Sequence, residues 1–327
     1  MRSELPTSKP VKLPTRHGIS PSCVWLPREL HSTLLDFLST RFHEIPRMTW
    51  IARLEQGLVL NQQGTPFQID SPYIADQHIY YYRNIENEER IPFEETILYQ
   101  DEHLLVADKP HFLPVIPSGK YVQETLLTRL KNKLGIDDLA PIHRIDRETA
   151  GLVLFSINPR TRDAYQTLFR ERTIHKTYEA IAPLNRNLTL PMTYQSRMVK
   201  GEPFFRMKEV EGELNSETRL DILERYGNFA KYQLSPITGK QHQLRVHLAA
   251  LGIPIVYDPF YPELTEWKED HDKPLQLLAK QVRFTDPITG KNHSFTSERK
   301  LLDVESIAAD FAHPQQTAET NLRKDIL

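Results

Sequence analysis

Residues 141–156, PIHRIDRETAGLVLFS, place Asp146 between Arg144 and Arg147, just ahead of a short apolar run. Neighbouring cations favour the ionised form of a carboxylate. An ionised carboxylate at the mouth of a rigid strand suits a nucleophile or a general base, not a general acid at neutral pH. The same letters also fit an ordinary charged loop before a strand, so the rest of the chain must decide. No second carboxylate stands out to form a glycosidase-type pair.

Two further segments carry polar groups that such a carboxylate could use. Residues 240–251, KQHQLRVHLAAL, predict a helix with Leu244, Leu248 and Leu251 on one face and Gly252 as its stop. Lys240, His242 and Arg245 form its cationic edge, with Gln241 one turn before Arg245. Its start, after Thr238-Gly239, would favour a phosphate. A solvated helix face is the competing reading. Tyr178 sits in KTYEA, where strand alternation faces it opposite to Thr177 and Glu179. His143, His175, His242 and His247 show no i, i+4 metal pair, and no Gly-rich phosphate loop is present. Neither a metal nor a nucleotide cofactor is expected.

Elements that would position these groups can be read along the chain. An amphipathic helix is expected from Leu30 through Phe42, and a second from Met48 to Gln56, closed by Gly57. LVLNQQGTPFQI reads as strand, turn, strand, and HIYYYR as a strand. ILYQDEHLLVADKP predicts two strands around residues 100–102. YVQETLLTRLKNKLG predicts a helix ending near Gly135. GLVLFS reads as a buried strand, and Asn158-Pro159 as the start of a helix to about Arg172. HKTYEAIAP and NFAKYQLSPITG are further strands. The pattern predicts an α+β protein with a mixed, mostly antiparallel sheet.

The expected organisation is a disordered N-terminus (1–22), a small domain (23–83), an acidic linker (84–94), a large domain (95–305) and a peripheral tail (306–327). A chain of 327 residues has room for one large domain and a small one. Net charge is −2, which argues against a basic coat for nucleic acid. The distribution matters more. Between residues 86 and 102 seven acids face one base, whereas 143–176 carry seven bases and four acids. Residues 231–247 hold three bases and no acid. This concentration suits a phosphate-bearing ligand. No stretch approaches the roughly 18 apolar residues of a membrane helix, and the N-terminal letters lack the apolar core of a secretory signal. Cys23 is the only cysteine, so no internal disulfide or cysteine-based zinc site can form. A cytoplasmic protein is expected, and a monomer, since no apolar heptad pattern stands out.

Taken together, the segments resemble the RluA family of RNA pseudouridine synthases. HRIDRETAGLVLFS is similar to that family's H-R-L-D-x-x-T-S-G-L-L-L-F-A, and KTYEA to its K-x-Y-x-A strand. ILYQDEHLLVADKPHFLPV, including Lys109-Pro110, looks like its first motif. LSPITGKQHQLRVHLAALGIPIVYD and LQLLAKQVRFTDPITG resemble its later ones. The resemblance covers about residues 95–298. Ala150, Lys240, Tyr257 and Asp286 depart from the usual Ser, Arg, Gly and His. More loosely, LLDFLSTRF and RLEQGLVLNQQG resemble an S4 RNA-binding domain, with thin basic character in Arg41, Arg47 and Arg53.

The resemblance implies the pseudouridine synthase fold, with a central cleft and a small S4-like α/β domain ahead of it. It implies isomerisation of uridine to pseudouridine in 23S rRNA or tRNA, without a cofactor. Asp146 would be the essential carboxylate, Arg245 its partner, and Tyr178 the surface under the target uracil. Arg144, His143, Lys109, Lys240 and His242 would contact RNA, while Arg147 falls at a variable position and reads as a solvated neighbour. A catalytically silent RNA-binding protein is the alternative, and a hydrolase with a sugar or nucleotide pocket a second. The intact set of Asp146, Tyr178 and Arg245 speaks against the first.

Overall fold

Two units divide the chain in the computed structural model, which describes residues 11–83, 88–265 and 270–312. The first comprises Met1–Arg90 with Ile116–Asp137, and the second Ile91–Val115 with Asp138–Leu327, so far as these are described.

In the first unit, β1 (Ser22–Leu26), α1 (Leu34–Arg41), α2 (Arg47–Glu55), β2 (Val59–Leu60) and β3 (Gln77–Tyr81) follow in order. The strands form an antiparallel sheet in the order β1-β3-β2. Thr33 starts α1, its Oγ1 accepting the Asp36 amide at 3.1 Å. Leu34, Phe37 and Leu38 then meet Trp50 and Leu54 of α2 and Ile79 of β3 in one apolar core. The helix expected near residues 121–135 is α3 (Leu126–Leu134), capped by Thr125 and ended by Gly135 at φ +67°. It belongs to this unit and not, as expected, to the larger one.

Other boundaries also change. The disorder expected through residue 22 does not hold for residues 11–22. The Val11 amide donates to the Tyr80 hydroxyl, the Tyr82 hydroxyl donates to the Pro14 carbonyl, and Ser22 already begins β1. Residues 1–10 lie outside the described residues. In the acidic linker, the Glu88 carboxylate accepts the amides of Val122, Gln123 and Glu124 at 2.7–2.9 Å, and Ile91 is buried. Its residues 84–87 are not described.

The second unit contains β4 (Thr96–Gln100), β5 (Leu104–Lys109), β6 (Ala140–Pro141), β7 (Ala150–Ser156), α4 (Arg162–Arg170), β8 (His175–Pro183), β9 (Met192–Lys200), β10 (Met207–Val210), β11 (Ser216–Tyr226), β12 (Phe229–Pro236), α5 (Gln243–Ala250), β13 (Leu277–Thr285), β14 (Asn292–Thr296) and α6 (Val304–Ala312). The eleven strands make one sheet, β10-β9-β11-β12-β8-β13-β7-β5-β4, with β14 on β13 and β6 on β7. Only the β7–β13 pairing is parallel, so the sheet is mixed and mostly antiparallel. β7 is buried along its whole length, as its unbroken apolar letters require. The turn between β4 and β5 is held by Asp101, whose Oδ1 accepts the amides of His103 and Leu104 at 2.7 Å each.

Three expectations for this unit need correction. Asn158-Pro159 form a turn rather than a helix start, with Asn158 Oδ1 accepting the Arg160 amide at 3.0 Å, and α4 begins at Arg162. The second helix of interest spans Gln243–Ala250, so Lys240, Gln241 and His242 precede it. The tail is not wholly peripheral: α6 buries Val304 and Ile307 in a cluster with Ile181, Phe229 and Leu278. Residues 313–327 are not described.

Candidate active site

Asp146 lies in the loop that enters β7, Tyr178 in the middle of β8, and Arg245 in α5 after the turn that leaves β12. In the sheet these strands run β12-β8-β13-β7, which gathers segments about 100 residues apart in sequence. Gly151 fixes the base of the loop. It sits at φ +111° against Ala279 of β13, and a Cβ there would come 2.3 Å from the Ala279 carbonyl oxygen. No other residue type fits that approach or that backbone conformation.

Buried Lys109 and half-buried His111 hold the loop from the end of β5. Lys109 is fully buried, and its ammonium donates to the carbonyls of Pro110, Leu113 and Arg147 at 2.9, 2.7 and 3.1 Å. Burial pushes its pKa down to about 7. With all three N–H groups directed at carbonyls, Lys109 braces the loop; this corrects the expectation that it contacts RNA. His111 Nδ1 lies 2.6 Å from the Glu148 carbonyl, and burial lowers its pKa to about 4. His143 likewise faces inward. Its Nε2 accepts the Leu154 amide at 3.1 Å, its ring stacks on Phe169, and burial takes its pKa to about 3. A neutral ring with an engaged acceptor is a loop support, not the RNA contact expected of it.

Arg245 is the centre of the site, and it is fully buried rather than set on a solvated edge. Its Nε and Nη2 make a two-pronged pair with Asp258 at 2.8 and 2.6 Å. Its Nη1 donates to Asp146 Oδ2 at 3.2 Å and lies 3.6 Å from Glu148 Oε2. Its guanidinium also stacks over Phe260 and Tyr261, 4.8 and 5.5 Å from the ring centres. Burial alone would lower its pKa, but the Asp258 bonds and the charges of Asp146 and Glu148 outweigh this and raise it. The cation is therefore permanent and points one N–H group at Asp146.

The other oxygen of Asp146 is left open. Among the described residues no hydrogen bond reaches Oδ1; His242 Nε2 lies 3.8 Å from it. His242 was expected to face RNA, but it is buried at φ +53° at the start of α5. The Tyr261 hydroxyl accepts the Met207 amide at 2.7 Å and has its proton free for His242 Nδ1 at 2.9 Å. That network assigns the remaining N–H to Nε2, facing Asp146. Burial lowers the pKa of His242, although Asp146 opposes this.

Tyr178 is half-buried, and burial, reinforced by the Asp146 charge, raises its pKa. It therefore stays a neutral phenol whose ring and hydroxyl are both usable. Arg144 and Lys240 are exposed, as RNA contacts must be. Arg147 is not the solvated neighbour expected: its side chain is 15% exposed, with Nη1 3.7 Å from Glu148 Oε1.

Sequence reasoning missed Asp258, Glu148, Phe260 and Tyr261 as members of the site. Glu148 offered a faint signal, an acid two positions after Asp146. Asp258 offered its place after Tyr257, which stands where the resembling family has glycine. Tyr257 adopts φ +59°, a conformation that strains a bulky residue. Its hydroxyl donates to Asp310 of α6 at 2.7 Å, and its ring lies against Phe311 and Lys273. These contacts hold it in place beside the carboxylate that fixes Arg245. Among the described residues, no cluster of three His, Cys, Asp or Glu side chains is arranged for a metal ion. None of their helices is long and apolar enough to cross a membrane.

Comparison with known proteins gives a consistent match. The family model described as RNA pseudouridylate synthase matches residues 103–250, a span that includes Asp146, Tyr178 and Arg245. An uncharacterized RNA pseudouridine synthase of Synechocystis is 31% identical over 234 residues, covering 70% of this chain and 79% of that protein. The dual-specificity RNA pseudouridine synthase RluA of Haemophilus influenzae is 32% identical over 209 residues, covering 62% and 92%. Among solved structures, human RNA pseudouridylate synthase domain containing 1 shares the fold, with a TM-score of 0.52, 22% identity, and coverage of 66% of this chain and 94% of that one.

Proposed function

The chain belongs to the RluA family of RNA pseudouridine synthases, and on that premise we propose that Asp146 is the carboxylate that carries out the isomerisation of a uridine in structured RNA. The C1′–N1 glycosidic bond breaks, the base turns, C5 bonds to C1′, the C5 proton leaves and N1 takes one up. The observation that carries this reading is the division of labour on Asp146. Oδ2 is held by Arg245, itself locked by Asp258, and Oδ1 is open. One oxygen is oriented and the other is free to act on the ribose or the base.

Tyr178 then provides the face on which the extruded uracil stacks, and its neutral hydroxyl can move a proton. Extrusion from the stack costs a few kcal/mol. Exposed Arg144 fills the vacated space or binds the backbone, and Lys240 meets a phosphate. Large-subunit rRNA, tRNA or both are taken as the substrate. For the first unit we retain the S4-like reading, with a packing rather than a tight RNA-binding role. Arg47 is paired with Asp36 at 3.0 Å, and Arg53 is buried over Trp50. The same reading takes the protein as a cytoplasmic monomer, in keeping with its single cysteine.

The test is incubation of the purified protein with unmodified bulk rRNA and, separately, tRNA, followed by nucleoside analysis. Pseudouridine is expected in at least one. Binding without pseudouridine would favour a silent RNA-binding protein, and release of free base or sugar a hydrolase.

A further inference from the structure

Several cations of the second unit have partners, while others, such as exposed Arg144 and Lys240, have none among the described residues. Arg170 reaches Asp163 at 3.4 Å, Arg162 the Asp138 carbonyl at 2.6 Å, and Lys231 Glu224 at 3.5 Å. Arg172 and Lys176 differ from the partnered ones, and Lys176 differs from the exposed ones in being half-buried. Among the described residues neither has an ion pair, and the two lie close enough for the charge of Arg172 to act on Lys176. Arg172 is exposed and ends α4 at φ +59°, the conformation in which helices usually place glycine. Lys176 is half-buried, with one long contact from Nζ to the Thr238 carbonyl at 3.4 Å. Burying an unpaired charge is unfavourable, and setting a second cation beside it adds repulsion. Burial and Arg172 together pull the Lys176 pKa down to about 8.

The surroundings leave room for an anion. Gly239 stands over the ammonium, and a Cβ there would be 3.9 Å from Nζ, so any longer side chain would cover it. His143, a titratable group near Lys176, stays neutral and has its Nε2 engaged. Lys176 and Tyr178 are two residues apart in β8, hence on one face and about 7 Å apart along the strand. That distance suits a phosphate attached to the nucleotide whose base lies on Tyr178, or to its neighbour.

We propose that Arg172, Lys176 and the Thr238–Gly239 turn form a phosphate subsite that grips the RNA backbone next to the target uridine. This rests on the functional reading above. An arginine fork beside a lysine point charge is a suitable receptor for a phosphodiester. Binding would relieve the repulsion between the two cations and fix the strand while the base is extruded.

The subsite is tested with RNA transcripts carrying the modified uridine, comparing wild type with Arg172→Gln, Lys176→Gln and the double variant. Turnover and filter-binding Kd are measured across a KCl series. The double variant is expected to bind about tenfold more weakly. Its plot of log Kd against log salt should be shallower by roughly 0.7 per cation removed. The loss should appear in KM more than in kcat, and Lys176→Arg should restore binding. Arg170→Gln, on the same helix but paired with Asp163, should leave the salt slope unchanged. Exposed Arg172 can be changed without disturbing the fold, so its single variant decides the matter if Lys176→Gln misfolds. Unchanged Kd and salt slope in an active Arg172→Gln would overturn the subsite alone. A wild type that binds RNA without turnover would instead overturn the functional reading.

Discussion

Two cationic places in the second unit differ in how their charge is balanced. Arg245 is enclosed by Asp258, Asp146 and Glu148, and sits under two aromatic rings. Arg172 and Lys176 have each other and one distant carbonyl. A compensated, buried guanidinium cannot take up a new anion without losing an old one, so its use is to orient what it already holds. An uncompensated pair has its use outside the protein. On the proposed reading, the difference gives Arg245 to the carboxylate that it holds and the other two to the substrate backbone.

The comparison breaks most visibly at Arg245. Arg245→Ala would leave three carboxylates around a buried gap, and removing one partner of such a cluster costs about 3–5 kcal/mol of stability. Turnover should fall by roughly 10²–10³-fold even where the fold survives, checked by denaturant midpoint and by single-turnover rate. A variant of near wild-type stability and rate would mean that Arg245 neither anchors the core nor orients Asp146.

A smaller effect sharpens the other side. The Lys176 pKa is lowered to about 8, so its charge is present below that pH and is lost as pH rises through it. His143 nearby stays neutral, and Thr238 offers only a carbonyl. KM for RNA should therefore rise several-fold between pH 7 and pH 9. Lys176→Arg should flatten the dependence. A flat wild-type profile would remove Lys176 from the backbone contacts.

The legible parts of the molecule were those whose signal is local. The apolar letters of β7, Gly135 after α3 and the Asp101 turn each act through neighbours within a few residues. What escaped notice depends on distant partners. Lys240, His242 and Arg245 look like a polar edge in sequence. The latter two are buried because Asp258, Glu148 and Tyr261 arrive from elsewhere to satisfy them. β9 and β11 lacked a period-two apolar pattern because Ser196, Ser216 and Thr218 face inward. His247 and Gln243 of α5 supply their hydrogen bonds, and burial takes the His247 pKa to about 4. Of the site, Asp146, Tyr178 and Arg245 were visible through motif resemblance. The Asp258 lock and the inward turn of Lys109 and His143 required coordinates.

The most direct measurement is tritium release from RNA labelled at uridine C5, with wild type and Asp146→Asn compared under single-turnover conditions. The amide keeps the size of the carboxylate, so circular dichroism and RNA binding should stay close to wild type. If the open oxygen of Asp146 carries the chemistry, release should be at least about 10³-fold slower. Release near the wild-type rate from the folded, RNA-bound variant would contradict the account.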